Sequence, residues 1–97
     1  MNIKQTISND ELRVKIFKAL ADESRLAIVR LLHGVGHEMD STSIGEQLGI
    51  SKSTLSYHLK LLREAGLTTT RRAAQTRYVG INSQVFTAVL PGFLGTL

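Results

Sequence analysis

Two short segments of helical period meeting at a glycine constrain this chain most. Ile44 and Leu48 mark the first segment, which starts near Ser41 to Ser43. Leu55, Leu59 and Leu62 mark the second, with Leu61 at their margin. Residues three and four apart share one face of a helix, so each segment reads as a short amphipathic helix. Gly49 lies between them and takes the positive φ of a sharp turn without a steric penalty. Ser51 can cap the second helix, and Gly66 closes it. Two short helices joined by a turn of about three to four residues that contains Gly form the pattern of a helix-turn-helix.

After Gly66 the period changes. Leu67–Arg72 and Thr76–Ile81 are rich in β-branched residues, and the short link Ala73-Ala74-Gln75 makes them a hairpin with Arg71, Arg72 and Arg77 near its free end. A two-stranded ribbon directly after a recognition-type helix is a wing. Upstream, Ser8-Asn9-Asp10-Glu11 reads as a capping box ahead of Leu12, Ile16 and Leu20, with Val14 and Phe17 widening that stripe. Asp22 caps a second helix carrying Leu26, Ile28, Val29, Leu31 and Leu32, which ends at Gly34 before a Gly34-Val35-Gly36 loop. Downstream, Asn82 or Ser83 caps a last segment with Val85, Phe86, Val89 and Leu90, broken by Pro91-Gly92. The expected fold is mainly α with a small β-hairpin (α+β): a winged helix-turn-helix of about five helices and a two-stranded wing. It forms a single domain over residues 8–97, with the recognition helix at about 51–65 and the wing at about 67–81.

Charge is segregated along this framework. Residues 1–49 hold six Lys or Arg against seven Asp or Glu, residues 50–78 hold six against Glu64 alone, and residues 79–97 hold none. A focused basic segment attracts a polyanion, and an uncharged apolar tail on a small domain seeks another protein surface. There is no Cys, which removes disulfides, thiolate ligands and thiol redox switches and fits a reducing cytoplasm. The polar start Met1–Thr6 lacks the apolar stretch of a signal peptide, and no run reaches the roughly 18 apolar residues of a membrane span. An enzyme is disfavoured: there is no thiol nucleophile, no phosphate-cradling Gly loop and no carboxylate pair with a cleft. His33, His37, Glu38 and Asp40 are the only hard-ligand cluster, but their spacing matches no established metal site, and loop histidines are usually solvated. No metal and no cofactor are expected.

Phe17-Lys18-Ala19-Leu20-Ala21-Asp22 with Arg25-Leu26, Ile28 and Leu31-Leu32 resembles the first signature of the ArsR family of bacterial repressors. Ile44-Gly45-Glu46-Gln47-Leu48-Gly49-Ile50-Ser51 resembles the family's helix and turn, Ser56 to Leu67 its recognition helix and exit, and Arg71 to Tyr78 its wing. The resemblance spans about residues 10–82 and implies a dimeric winged-helix repressor of the cytoplasm. The family's familiar metal sites use a Cys pair at the start of the third helix or Asp, His and Glu on the last. Here Met39-Asp40-Ser41-Thr42-Ser43 has no Cys, and residues 79–97 have no His, Asp, Glu or Cys. The resemblance therefore supports DNA binding and withholds metal sensing.

A recognition helix presents its early residues to the major groove. The candidates for duplex DNA are Lys52, Ser53, Thr54, Ser56, Tyr57, His58 and Lys60 on the helix, with Arg71, Arg72 and Arg77 on the wing. His58 either meets a phosphate or orients the helix. Strand alternation gives Arg71 and Arg72 different jobs, and Arg77 is placed to pair across the hairpin. One helix in one groove discriminates poorly, so a homodimer is expected, joined through residues 8–20 and 83–97. Leu12, Ile16, Val85, Phe86, Val89 and Leu90 are its interface candidates. Two effector outcomes stay open, a small molecule in a dimer cleft or none. Two other classes compete: a winged helix used as a protein adaptor, and a MarR-type regulator, which usually has longer terminal helices.

Overall fold

The computed structural model describes residues 9–97. Its elements run α1 (Asn9–Leu20), α2 (Glu23–Val35), β1 (Met39–Asp40), α3 (Ser41–Leu48), α4 (Lys52–Glu64), β2 (Thr68–Ala73), β3 (Thr76–Ile81) and α5 (Ser83–Val89), followed by a 3-10 turn at Leu94–Thr96. The expected mainly helical architecture with a wing is what the chain adopts. The capping box proposed at Ser8 lies outside the described residues.

The helix ends follow side-chain chemistry. Asp22 accepts from the Arg25 amide at 3.0 Å and starts α2. Asp40 accepts from the Ser43 amide at 3.2 Å and the Ser43 hydroxyl at 2.6 Å and starts α3. Ser51 accepts from the Thr54 amide at 3.4 Å and starts α4. Each cap satisfies an amide that has no partner inside its own helix. The second helix runs one residue past the expected stop at Gly34, through Val35, and Gly36 at φ +75° terminates it. The loop is therefore Gly36-His37-Glu38, displaced by two residues from the expected Gly34-Val35-Gly36. Asn82 occupies the cap position of α5 but makes no side-chain cap bond.

The sheet holds a strand that the sequence did not announce. Met39 and Asp40 pair antiparallel with Val79 and Tyr78, so the order is β1-β3-β2 and the wing strand β3 is central. Two residues carry no readable period, which is why only the hairpin was anticipated. That hairpin is tight: Ala73 pairs with Thr76, leaving Ala74-Gln75 as the turn, and Ala74 takes φ +54°. Ala73 thus belongs to β2 and not to the link.

A single apolar cluster joins the layers. Ile16 of α1, Ile28 and Val29 of α2, Ile44 of α3 and Leu62 of α4 are fully buried, with Leu67, Val79 and Phe86 closing the side toward the sheet and α5. Two expected interface residues are among them. Ile16 (0% exposed) and Phe86 (2%) are spent on the protomer's own core and offer nothing to a partner. Periodicity found the right stripes but could not say which edge of each stripe faces inward. The outward edge of α1 carries Val14 and Phe17, at 49% and 52% exposure. Leu12, Val85, Val89 and Leu90 are half-buried against the core. Among the described residues no helix is long and apolar enough to cross a membrane.

Candidate nucleic-acid interface

The turn between α3 and α4 depends on two glycines for different reasons. Gly49 ends α3 at φ +66°, a left-handed conformation that residues with a Cβ adopt rarely. Gly45 matters for closeness: a Cβ there would stand 3.1 Å from the Ile50 carbonyl and 3.3 Å from a Leu55 methyl. The two helices pack through the space a side chain would fill, and that fixes α4 relative to α3. Sequence reading had noticed only Gly49.

On α4 the side chains divide cleanly. Leu55, His58, Leu59 and Leu62 are buried, while Lys52, Ser53, Thr54, Ser56, Tyr57 and Lys60 are exposed. Tyr57, at 58% exposure, is the large apolar surface on this helix. His58 must be withdrawn from the groups that face outward. It lies three residues after Leu55 and four before Leu62, on the buried side of the helix. Its Nδ1 stands 3.0 Å from a terminal nitrogen of Arg25 and 3.9 Å from a carboxylate oxygen of Asp22. Helical spacing alone carried that signal. The Asp22 carboxyl is held below its ordinary range, chiefly by the Arg25 amide it caps and then by the Arg25 charge. Asp40 is lowered too, by the Ser43 hydroxyl and amide.

The wing arginines separate by register. Arg72 and Arg77 are directly opposed, so their side chains leave the same face of the hairpin. Arg77 lines a cleft of about 440 Å³ together with Ser41 and Thr42 at the start of α3 and Lys52 and Ser56 on α4. Glu46 is the one acidic residue in that lining. Like charges directly opposed across strands destabilise a hairpin, and an anion over the pair would relieve the repulsion. Arg71 leaves the other face, opposed to Tyr78. Its guanidinium lies 4.5 Å from the Tyr78 ring centroid, and the Glu38 carboxylate accepts from its Nε at 2.9 Å and from a terminal nitrogen. Arg71 is therefore already engaged by a carboxylate, in a pairing that links residues 33 apart and that no local pattern announces. His37 turns its Nδ1 to the Glu38 carbonyl at 2.8 Å. Among the described residues no three His, Asp or Glu side chains gather to hold a metal ion.

Comparison with known proteins bears on this surface. The family profile of a helix-turn-helix domain matches residues 20–71. An uncharacterized HTH-type transcriptional regulator of Bacillus subtilis, YceK, is 53% identical over the whole chain and 95% of its own length. The transcriptional activator HlyU of Vibrio cholerae is 34% identical over 93% of the chain and 82% of its own length. The solved structure of the V. cholerae protein superposes with a TM-score of 0.74, covering 93% of this chain and 98% of that one. A domain from Mycobacterium bovis, described as a homodimeric winged helix-turn-helix DNA-binding domain of a possible ArsR-family regulator, superposes at 0.70 with 26% identity, covering 90% and 85%.

Proposed function

The chain belongs to the ArsR family of winged helix-turn-helix transcriptional regulators, and from that premise we propose that it binds a pseudo-palindromic operator as a homodimer. The recognition helix α4 enters the major groove, with Ser53, Thr54, Ser56 and Tyr57 toward base edges and Lys52 and Lys60 toward phosphates. Arg72 and Arg77 hold the backbone or the adjacent minor groove from the wing. Arg71 takes part only by leaving Glu38. The observation that carries this reading is the exposed polar run of α4 beside two arginines that leave one face of the hairpin.

The dimer is supported by the apolar groups left on α1, Val14 and Phe17, and by the half-buried Leu12, Val85, Val89 and Leu90. A chain this short gains stability from covering such groups, and the M. bovis relative is described as a homodimer. The protein represses where its operator overlaps a promoter, because a bound dimer there excludes the polymerase.

Selection of random duplexes by the purified protein tests the proposal, followed by titration of the selected sequence at two salt concentrations. The expected consensus has two half-sites about 34 Å apart, bound with a steep salt dependence. A protein that enriches no sequence, or that sediments as a monomer on the selected duplex, contradicts it. Weak binding confined to low salt would favour the adaptor reading.

A further inference from the structure

Arg25 is the only lysine or arginine buried among the described residues, at 9% exposure. Buried guanidinium groups are rare unless every donor is used and the charge is offset. Its Nε donates to the Ala19 carbonyl at 2.6 Å, and one terminal nitrogen reaches the Lys18 carbonyl at 3.4 Å. Both carbonyls belong to the last turn of α1, where they lack helical partners and form the negative end of that helix. The other terminal nitrogen stands 3.0 Å from His58 Nδ1 on α4. One side chain thus fastens the end of α1, the start of α2 and the middle of the recognition helix.

The chemistry of this contact fixes the state of His58. A guanidinium has only donors, so Nδ1 must accept, and the ring must be neutral with its proton on Nε2. Two groups compete for Nδ1: Arg25 at 3.0 Å, and the Asp22 carboxylate at 3.9 Å. A protonated ring cannot accept from Arg25 and would instead face it as a like charge, with its new N–H directed to Asp22. The Lys18 side chain on α1 is exposed, as is Lys60 on α4, and the Tyr57 ring lies 5.7 Å from the imidazole. Among the described residues Asp22 is the carboxylate within ion-pair distance of His58, and α3 and β2, which also pack on α4, add no further carboxylate pair.

We propose that Arg25 is a positioning residue for DNA recognition: through neutral His58 it sets the rotation of α4 in its seat, and acidification releases that setting. The leucines of α4 hold the helix by packing that has no direction of its own, whereas the Arg25–His58 hydrogen bond has one. Tyr57 adjoins His58 in sequence, and Lys60 is two residues further, so a small roll of the helix displaces both. The inference rests on the operator-binding reading for its functional consequence, and on the free protein for its structural part.

The test uses the full chain and the selected operator duplex, titrated by fluorescence anisotropy from about pH 8 to about pH 5.5 at constant ionic strength. His58→Asn keeps an acceptor oxygen near the place of Nδ1 and cannot titrate, while His33 and His37 remain in both proteins as internal controls. Wild type is expected to lose about tenfold or more in affinity across this range, and the variant, measured against its own value at about pH 8, less than about threefold. Arg25→Lys is expected to weaken operator binding and to leave the salt dependence unchanged, since no phosphate contact is removed. Thermal melts at each pH separate these losses from unfolding. In the protein without DNA, the backbone amide shifts of Tyr57 and Lys60 should change with pH in wild type and stay constant in His58→Asn. That readout stands even if no operator is found. Parallel acid profiles for the two proteins, or a flat wild-type profile with the fold intact, would overturn the proposal.

Discussion

The recognition helix and the wing carry the same kind of side chains toward solvent, yet they are held by opposite means. Helix α4 buries one whole side in the core, is capped by Ser51 and is anchored at its middle by Arg25. The wing tip has no core of its own: from Thr69 to Arg77 no residue is buried, and the strands are fixed by pairing with each other and by the Glu38–Arg71–Tyr78 cluster. A helix seated in a close-packed interior has little freedom to adjust. A two-stranded ribbon held by exposed pairs can shift to meet what approaches it. Reading bases needs the first property, since a hydrogen bond to a base edge tolerates little displacement, and following a phosphate backbone is served by the second.

Leu62→Ala would break this contrast most severely. The side chain is fully buried, and its loss should lower the free energy of unfolding by about 2–5 kcal/mol in urea denaturation. A loss of under about 1 kcal/mol would mean that the seat of α4 is looser than its burial implies. Tyr57→Ala sharpens the helix side of the comparison. The variant should lose about 1–3 kcal/mol on the selected operator and less on random duplex, and equal losses on both would remove Tyr57 from base reading. On the wing, Arg77→Ala should weaken all sequences alike and make the plot of log affinity against log salt shallower by about 1. Lower affinity with an unchanged slope would show that Arg77 neutralises no phosphate. The smallest effect belongs to Glu38→Gln, which weakens the hold on Arg71 at an exposed site. The melting temperature should hardly change, while binding to random duplex at low salt strengthens about twofold to fivefold. Unchanged or weaker binding would mean that the Glu38 pairing holds the wing in its useful shape.

What could be read in advance followed from local spacing. The helix-turn-helix was visible because Leu55, Leu59 and Leu62 recur at helical intervals and Gly49 marks the turn, and the wing because Thr68–Thr70, Tyr78, Val79 and Ile81 favour strands. The burial of His58 was also available from its spacing to Leu55 and Leu62, a signal that the two open roles, phosphate contact or orienting the helix, did not use. Arg25 and Glu38 were beyond reach, since each acts on a residue 33 positions away. Strand β1 was hidden for the same reason: two residues become a strand only because β3 arrives beside them. Ile16 and Phe86 show a different limit. An apolar stripe states that it must be covered, but not whether its own chain or a second copy does the covering.

Asp40 is at once the last residue of β1, which is paired to the wing, and the cap that starts α3. No intervening residue separates the sheet from the helix-turn-helix at this joint. Length changes in this protein are therefore tolerated unequally. Extra residues at the hairpin tip would only lengthen a ribbon, whereas a single residue inserted after Asp40 would disengage the wing from the helix that follows it.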